Sequence, residues 1–537
     1  MQPGENSGSP GSASWGYYAF AFTVAILALL PRLGMLSVEP GAYLWAEDGT
    51  VFLNEAQEMG LAAIFHPYAG YLHFYPRIFS ALSQAFSLAT QPIVLLIGWC
   101  VAYLIMMYAV IRVAAKTNRS ILATAVLVSL VSLQPNRLEV FFNITNSQWM
   151  IGAALFIFTL IESDGSERRK QIKGMLLLPL ALTGPFSLVL TPVLLLRLLL
   201  KKDWAGQKYD YIPVFFGAFV QACALLSCDR KGGVANKDPS AWLDAFSKLT
   251  LFGADSAAIL PVPLLIWSLL GYLVYAQLRA PTDGAQSIHP AYLKLIAALV
   301  LLVAGVYARK HALGEIIVLG GGNRYTWVPY ALILLAGFLL TKGRRIMGPL
   351  LALLATLICI AGFHQFDSPY LQFAAYERFS RIEQVYIPLN PVEPEFPGWH
   401  VLGKPRTAKM PQGSIIELNL QQLAAEELNS SIGSQGLEIA ATGKHPSLTT
   451  TRKFSCPNSG FAGLNIHLNR DEEGWLQLFW DEDGNFNEKA SIPRWYPAGN
   501  ITAQFAFPMP PGGVRLRFAP MKVAGHAMIG KIELHCL

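Results

Sequence analysis

Residues 92–112 read PIVLLIGWCVAYLIMMYAVIR, and this stretch decides the class of fold. It is predominantly apolar, and its one charged residue, Arg112, stands at its end. An α-helix needs about 20 mostly apolar residues to cross the hydrocarbon core of a bilayer. The stretch therefore predicts a transmembrane helix, and it places the chain among the integral membrane proteins.

Further apolar stretches on both sides of this segment predict more spans, and several of them are short. The two stretches on either side of Gly184-Pro185 have a second interpretation as one broken span. We expect about eleven transmembrane helices in residues 1–365, which makes the fold a polytopic α-helical membrane protein. Besides 92–112, the spans lie near residues 17–37, 120–134, 147–163, 172–186, 188–200, 210–228, 258–278, 290–308, 327–341 and 347–363.

The composition changes along the chain. Of the 537 residues, 53% are hydrophobic and 14% are charged, whereas a soluble domain carries about 25% charged residues. The deficit is confined to residues 1–365. The net charge of +6 is modest and its basic residues stand in short loops, so nucleic acid is not an expected partner. The N-terminal segment lacks the basic region of a signal peptide, and we expect the first apolar stretch to be retained as a span.

Lysine and arginine are concentrated in alternate loops, and such residues favour the cytoplasmic side. They are Arg112, Lys116, Arg119, Arg168, Arg169, Lys170, Lys173, Lys201, Lys202, Lys342, Arg344 and Arg345. The remaining loops and the C-terminal domain would then lie outside a cytoplasmic (inner) membrane that the chain crosses many times. Arg309, Lys310 and Arg324 also fall on the outer side, against the rule, and an anionic ligand would explain them.

The sequence after residue 365 has the composition of a soluble protein. Residues 366–412 predict an amphipathic helix followed by a Pro-rich linker. Residues 413–537 predict an extracytoplasmic β-sandwich, because short strand patterns alternate with turn signals such as DEDGN and PPGG. Cys456 and Cys536 would be neighbours in such a sandwich, and an extracytoplasmic location would allow a disulfide between them.

Two features of this C-terminal domain have alternative interpretations. Trp475, Trp480, Trp495 and Tyr496 would form either a sugar-binding platform or part of the core, and we favour the core. The acidic residues within 481–488 hint at a Ca²⁺ site, but their spacing differs from that of an EF-hand and favours a hairpin turn. We expect neither a metal nor another cofactor in this protein.

The loop after the first span carries an acidic pair followed by polar and aromatic side chains. Glu47-Asp48, in WAEDGTVFLNEA, lies just beyond the apolar stretch, and VFLNEAQEMG predicts a short amphipathic helix on the membrane surface. A solvated helix start capped by Asp48 is the alternative interpretation of the pair. The candidate substrate-binding residues that follow in HPYAGYLHFYPR are His66, Tyr68, His73 and Arg77.

This arrangement resembles the GT-C superfamily of membrane glycosyltransferases, and the two quoted stretches resemble in particular a bacterial group of such proteins. The resemblance covers residues 15–365. It implies a polyprenyl-phosphate-linked sugar as donor, and an extracytoplasmic glycan (O-antigen or another envelope polysaccharide) or a protein as acceptor. It also implies a carboxylate that removes the acceptor proton, Asp48 or secondly Glu47, with inversion at the sugar carbon. The C-terminal strands resemble carbohydrate-binding jelly rolls.

Two later outer loops supply further candidates. QPNRLEVFFNITNSQWMIG offers hydrogen-bonding side chains and a ring that would stack on a sugar. Its candidate substrate ligands are Glu139, Asn143, Asn146, Gln148 and Trp149. RKHALGEIIVLGGGNRYTWVPY carries the candidate ligands of the donor phosphate, which are Arg324, Tyr325, Lys310 and Arg309. A polar turn in the first loop and anchoring at the membrane edge in the second are the alternatives.

Two other functions compete with glycosyl transfer. A transporter or flippase of lipid-linked glycans usually carries ionisable residues within its spans. The predicted spans have few, and Arg197 and Lys294 are expected near the cytoplasmic ends of theirs. A non-catalytic glycan-binding protein would use the β-sandwich and would make Glu47 and Asp48 dispensable.

Overall fold

The computed structural model describes residues 14–37, 43–117, 119–135, 139–162, 166–228, 235–254, 257–279, 289–316, 322–363, 369–405, 415–457, 459–481, 485–521 and 525–537. They form two compact units. The helical unit comprises Met1–Met35, Ile64–Phe79 and Leu95–Phe366. The C-terminal unit comprises Leu36–Ala63, Ser80–Val94 and Asp367–Leu537. The segment with the acidic pair thus belongs to the same unit as the β-strands.

Helices make up most of the first part of the chain. In chain order they are α1 Trp15–Leu27, α2 Gly34–Ser37, α3 Asn54–Met59, α4 Phe74–Ser83, α5 Gln91–Lys116, α6 Ile121–Leu133, α7 Ser147–Thr159, α8 Glu167–Ala181, α9 Phe186–Lys201, α10 Trp204–Leu226, α11 Pro239–Thr250, α12 Pro261–Leu278, α13 Pro290–Ala308, α14 Arg324–Leu340, α15 Met347–Ala361 and α16 Phe373–Phe379. A π-helical turn, Asp48–Leu53, precedes α3.

Within the described residues, five helices are long and apolar enough to cross a membrane. They are Trp15–Arg32, Gln91–Lys116, Trp204–Leu226, Pro261–Leu278 and Pro290–Ala308. The structure therefore does not support the predicted eleven spans. The apolar helices α6, α7, α14 and α15 have 13 to 17 residues and rise only about 20–26 Å, less than a hydrocarbon core of about 30 Å. Apolar composition alone identified these segments as helices, but it did not show that they are shorter than a full span.

Small residues allow the helices of the helical unit to pack closely. A Cβ on Gly305 of α13 would lie 3.1 Å from the Tyr325 Cβ of α14, and one on Gly217 would lie 2.7 Å from Ala181. Close approach of this kind is typical of helix packing in membranes, where van der Waals contact replaces the hydrophobic effect. The contact also places the C-terminal end of α13 beside the first turn of α14.

The C-terminal unit contains the predicted β-sandwich. Its strands are β1 Val385–Pro388, β2 His400–Gly403, β3 Ile415–Glu417, β4 Leu423–Glu426, β5 Leu428–Gly433, β6 Gly436–Ala441, β7 Ser447–Thr450, β8 Phe461–Arg470, β9 Gly474–Trp480, β10 Ser491–Tyr496, β11 Gly499–Pro508, β12 Leu516–Ala519 and β13 His526–Cys536. One sheet has the order β10-β9-β12-β7-β4, and the other has the order β11-β8-β13-β6-β5, with β3 beside β13. Strands β1 and β2 form a separate hairpin.

Aromatic side chains fill the space between the two sheets. Trp480 of β9 stacks on Phe507 of β11 at 5.9 Å between ring centroids, and both rings are buried. Tyr496 is buried as well, so these two of the four proposed platform residues belong to the core, as favoured above. Cys456 and Cys536 are joined in a disulfide with their Cα atoms 5.4 Å apart.

The acidic hairpin between β9 and β10 has a structural explanation. Asp481 is buried, and its carboxylate accepts a hydrogen bond from the Arg515 Nε at 2.7 Å. Glu488 accepts a hydrogen bond from Gln477 at 2.7 Å. These two carboxylates are thus engaged with protein donors, which fits the hairpin interpretation, while Asp483 lies outside the described residues.

Candidate functional site

A carboxylate and a guanidinium from distant parts of the sequence meet in the helical unit. Arg324, the first residue of α14, places its Nη1 2.5 Å from Glu139 Oε1. The backbone amide of Arg324 donates to Glu139 Oε2 at 3.4 Å. The side chains are 26% and 13% exposed. Glu139 thus presents a negative charge to a helix N-terminus and a cation together, which is how proteins bind anions.

The turn that carries Glu139 is held by its own asparagines. Asn143 Oδ1 accepts from the Asn146 amide at 2.9 Å, and Asn143 Nδ2 donates to the carbonyls of Glu139 and Phe141, each at 2.9 Å. Asn146 Nδ2 donates to the Glu139 carbonyl. Both asparagines are buried. They orient the loop that carries Glu139, which fits the interpretation of these residues as a polar turn.

Trp149 and Gln148 are packed at the start of α7. The buried Trp149 ring donates from Nε1 to Asn146 Oδ1 at 3.2 Å and meets the Tyr325 ring edge-on at 5.4 Å. Gln148 is also buried, and a Cβ at position 184 would come within 2.8 Å of its Oε1. Gly184 has φ +70°, a conformation that favours glycine. Tyr325 and Trp149 therefore form an aromatic wall beside Arg324.

His73 adds a neutral ring to the same unit. It is buried, forms a backbone bridge with Thr183 and stacks on Tyr71 at 4.5 Å. Burial, together with the positive charges of Arg77 and Arg324, lowers the pKa of His73 to about 3. Arg77, one turn later in α4, is fully buried. The imidazole is therefore uncharged at neutral pH and belongs to a positive electrostatic environment.

Two buried residues that the sequence did not single out hold this loop. Gln221 of α10 accepts from the Leu72 amide at 2.7 Å and donates to the Leu72 carbonyl at 3.1 Å. Thr183 Oγ1 accepts from the Tyr75 amide at 3.1 Å. The sequence signal for Gln221 was its place in the apolar part of α10. A buried side-chain amide requires hydrogen-bond partners, so a glutamine there indicates a contact with another segment.

The remaining predicted ligands of the helical unit occupy its periphery. His66 is exposed, and Tyr68 pairs with Tyr71 through backbone hydrogen bonds. Lys310 Nζ donates to the Tyr307 hydroxyl at 3.3 Å and lies 4.6 Å from the centroid of that ring. Arg309 caps the end of α13 and is half-buried. Lys310 thus has the aromatic surroundings expected of anchoring at the membrane edge.

The acidic pair lies in the C-terminal unit. Asp48 is 1% exposed, begins the π-helical turn and accepts a hydrogen bond at Oδ2 from the Trp45 amide at 3.1 Å. Glu47 is half-buried. Burial raises the pKa of the Tyr43 phenol, and the nearby Asp48 charge raises it further. A buried carboxylate is costly without hydrogen-bond partners, and the Trp45 amide supplies one to Asp48.

The β1–β2 hairpin holds the segment with the acidic pair. Thr50 Oγ1 accepts from the His400 amide at 2.7 Å, and Leu402 donates to Asn54 Oδ1 at 2.9 Å. The Ala46 amide donates to the Asn390 carbonyl at 2.7 Å. Residues 385–403, predicted as part of a linker, thus hold the segment of the predicted catalytic residues. These contacts join residues about 350 positions apart in the sequence.

The outer face of the six-stranded sheet carries a polar groove of about 390 Å³. One row across it is Ser431, Glu438, Met528 and Asn469, which are paired strand to strand. Its other lining residues are Asn429, Ser430, Ile439, Ala440, Asp471, His526 and Ala527. A second hollow of about 170 Å³ shares His526 and is lined by Trp475.

Among known proteins, similarity was found to solved structures. No protein-family model matches the chain, and no curated protein matches it. The sandwich is similar to the C-terminal CBM6 of LamC, a laminarinase from Zobellia galactanivorans, with 8% identity, a TM-score of 0.18, and coverage of 23% of this chain and 99% of that one. It is also similar to the module CBM6cm-2 of Cellvibrio mixtus lichenase 5A, with 12% identity, a TM-score of 0.18, and coverage of 23% and 95%. These likenesses are limited to the fold.

Proposed function

We propose that the chain is a membrane glycosyltransferase that moves a sugar from a polyprenyl phosphate to an extracytoplasmic glycan or protein. The observation that carries the proposal is the pairing of Glu139 with both the guanidinium and the amide of Arg324. The phosphodiester of the donor would exchange with the Glu139 carboxylate, because it presents the same kind of anionic oxygens, and the polyprenyl phosphate that leaves is a monoester with more charge. The helix behind Arg324 is apolar, which suits a donor whose phosphate is attached to a hydrocarbon chain.

The proposed reaction uses the acceptor hydroxyl as nucleophile, Asp48 as base and Arg324 as the cation at the leaving phosphate. The acceptor hydroxyl oxygen attacks the anomeric carbon, the bond from that carbon to the phosphate oxygen breaks, and the polyprenyl phosphate leaves with the electron pair. Asp48 takes the hydroxyl proton, which makes the oxygen a better nucleophile. Arg324 stabilises the charge that develops on the leaving phosphate. A single base opposite the leaving group leads to inversion.

Purified protein in liposomes tests this proposal. With a short-chain polyprenyl-phosphate sugar and acceptor, wild type should release polyprenyl phosphate, and Arg324→Gln should reduce release at least about tenfold. Lys342→Gln, which removes an exposed cation just beyond the other end of α14, is the matched control and should retain release. Transbilayer movement of the donor without cleavage of its phosphate bond would favour the flippase instead.

We also infer that the groove of the β-sandwich holds part of a glycan acceptor. Its amides, hydroxyls and carboxylates can exchange hydrogen bonds with sugar hydroxyls, and the hollow with Trp475 offers an apolar ring to a sugar face. The Asn469→Ala variant should lose binding to an envelope oligosaccharide in calorimetry, whereas Gln421→Ala, at an exposed amide before β4, should retain it. Equal binding by both variants would place the glycan elsewhere.

A further inference from the structure

A second polar cluster lies at the ends of α7 to α10 and of α13. Its three more buried ion pairs each join helices or helix ends, and the exposed side chains of Lys208 and Glu167 form a further pair at 3.3 Å. Arg197 and Asp203 lie 2.8 Å apart, Lys173 and Asp210 lie 2.9 Å apart, and Lys201 and Glu162 lie 2.7 Å apart. The Tyr211 hydroxyl also donates to Asp203. In each of these pairs one carboxylate balances one cation.

Lys294 enters this cluster without a carboxylate. It is 1% exposed, in the second turn of α13, and its ammonium donates to the Pro290 carbonyl at 3.3 Å. The charged groups that act on it are Arg197 and Lys201, both cations. Among the described residues, no carboxylate lies within 4 Å of its Nζ. A buried ammonium in such surroundings is strongly unfavourable, and either loss of its proton or an anion that reaches it relieves this cost.

The cluster is separate from the Arg324–Glu139 pair. Gly305 packs beside Tyr325 near the start of α14, and Lys294 precedes Gly305 by eleven residues of the same helix. At 1.5 Å per residue, this separation is about 16 Å along the axis. The two cation sites therefore lie at different levels of the helical unit, and an anion at Lys294 would be a second ligand.

We propose that Lys294, with Arg197 and Lys201, binds a phosphate group, either that of an anionic phospholipid headgroup or free phosphate. Lys170 in the first turn of α8 and Lys202 at the end of α9 adjoin this cluster, and such residues favour the cytoplasmic side. Anionic lipids are concentrated in that leaflet, where each nearby cation contributes to their attraction. The phosphate supplies the negative charge that the three ion pairs do not offer to Lys294.

Ligand binding to the full-length protein tests the proposal. In native mass spectrometry, wild type in detergent should bind phosphatidylglycerol in preference to phosphatidylcholine. Alternatively, inorganic phosphate should raise the melting temperature of wild type relative to chloride at equal ionic strength. The first result identifies a lipid headgroup and the second identifies free phosphate. Absence of both effects in wild type would overturn the proposal without any variant.

Two variants then assign the effect to Lys294. Lys294→Met should weaken binding of the same ligand at least about tenfold, as expected for loss of a charged hydrogen bond. Lys202→Met removes an equal charge from an exposed position at the end of α9 and should change binding less than twofold (~0.4 kcal/mol). Equal effects of the two substitutions would show a general attraction to positive charge and would refute the site. Activity in the transferase assay is not a readout of this experiment, so its outcome is independent of the proposed function.

Discussion

If Glu139 occupies the position of a phosphate, removing its charge should strengthen phosphate binding. The perturbation is Glu139→Gln, which keeps the size of the side chain and removes the ionic partner of Arg324. The ion pair at 2.5 Å and the amide contact at 3.4 Å must both be given up when phosphate binds. A hydrogen bond to a charged group contributes about 1.5–3 kcal/mol.

Solvent reduces this contribution only in part, because the Arg324 and Glu139 side chains are 26% and 13% exposed. We therefore expect about 1.4 kcal/mol, or a tenfold lower Kd for a short-chain polyprenyl phosphate. Arg324→Gln should raise that Kd at least about tenfold, and it should also lower the stability of the protein because it leaves Glu139 half-buried without its cation. Asp244→Asn, in an exposed ion pair with Lys248, is the control and should change neither quantity.

Calorimetric titration of the detergent-solubilised protein measures both Kd values, and thermal unfolding measures stability. The double variant Glu139→Gln with Arg324→Gln should bind as weakly as Arg324→Gln alone. Without the Arg324 cation, the Glu139 carboxylate and the phosphate no longer compete for it, so removing the carboxylate gains nothing. Weaker phosphate binding by Glu139→Gln would refute the reasoning. It would mean that Glu139 contacts the ligand or supports the site, and is not displaced.

Three further predictions concern other parts of the molecule. Asp48→Asn should lower transfer at least about a hundredfold with unchanged thermal stability in the assay buffer, whereas Glu47→Gln should retain most activity; the reverse ranking would make Glu47 the base. The depressed pKa of His73, about 3, contributes stability that is present above pH 6.5 and is lost towards pH 3, by about 1.4 kcal/mol per pH unit. His73→Gln should therefore flatten the melting temperature between pH 6.5 and 4.5, and parallel profiles would disprove this source of acid sensitivity. The Cys456–Cys536 disulfide spans 80 residues, so Cys536→Ser should cost about 2–5 kcal/mol of stability, visible as a lower melting temperature of the β-sandwich, and dithiothreitol should affect wild type alone.

Local sequence patterns predicted some features well because local forces determine them. The stretch 92–112 is apolar over a length that crosses a bilayer, and helix α5 contains it. Alternating strand patterns with turn residues predicted the β-sandwich, since the two faces of each strand differ in burial. Apolar composition did not predict where a helix ends. The short helices α7 and α14 therefore looked like spans, although α7 ends at Thr159 and α14 has 17 residues.

The candidate site shows a different limit. Glu139, Arg324 and Trp149 were all selected from the sequence, as separate ligands for a sugar and a phosphate. The structure joins Glu139 to Arg324 across 185 residues and packs Trp149 against Tyr325. Pairing of charges depends on which helix ends become neighbours, and a single sequence contains no record of that.

The sequence by itself determined that the chain has apolar helices and a β-sandwich, and which polar residue types interrupt the apolar stretches. These properties depend on burial preference and chain conformation over neighbouring residues. Only the tertiary structure decided that the asparagines of the Glu139 turn are scaffolding, that Lys294 lies among cations, and that the β1–β2 hairpin holds the segment of Asp48. Each of these depends on contacts between distant segments, because the electrostatic and hydrogen-bond energies of a buried polar group are set by its neighbours in space.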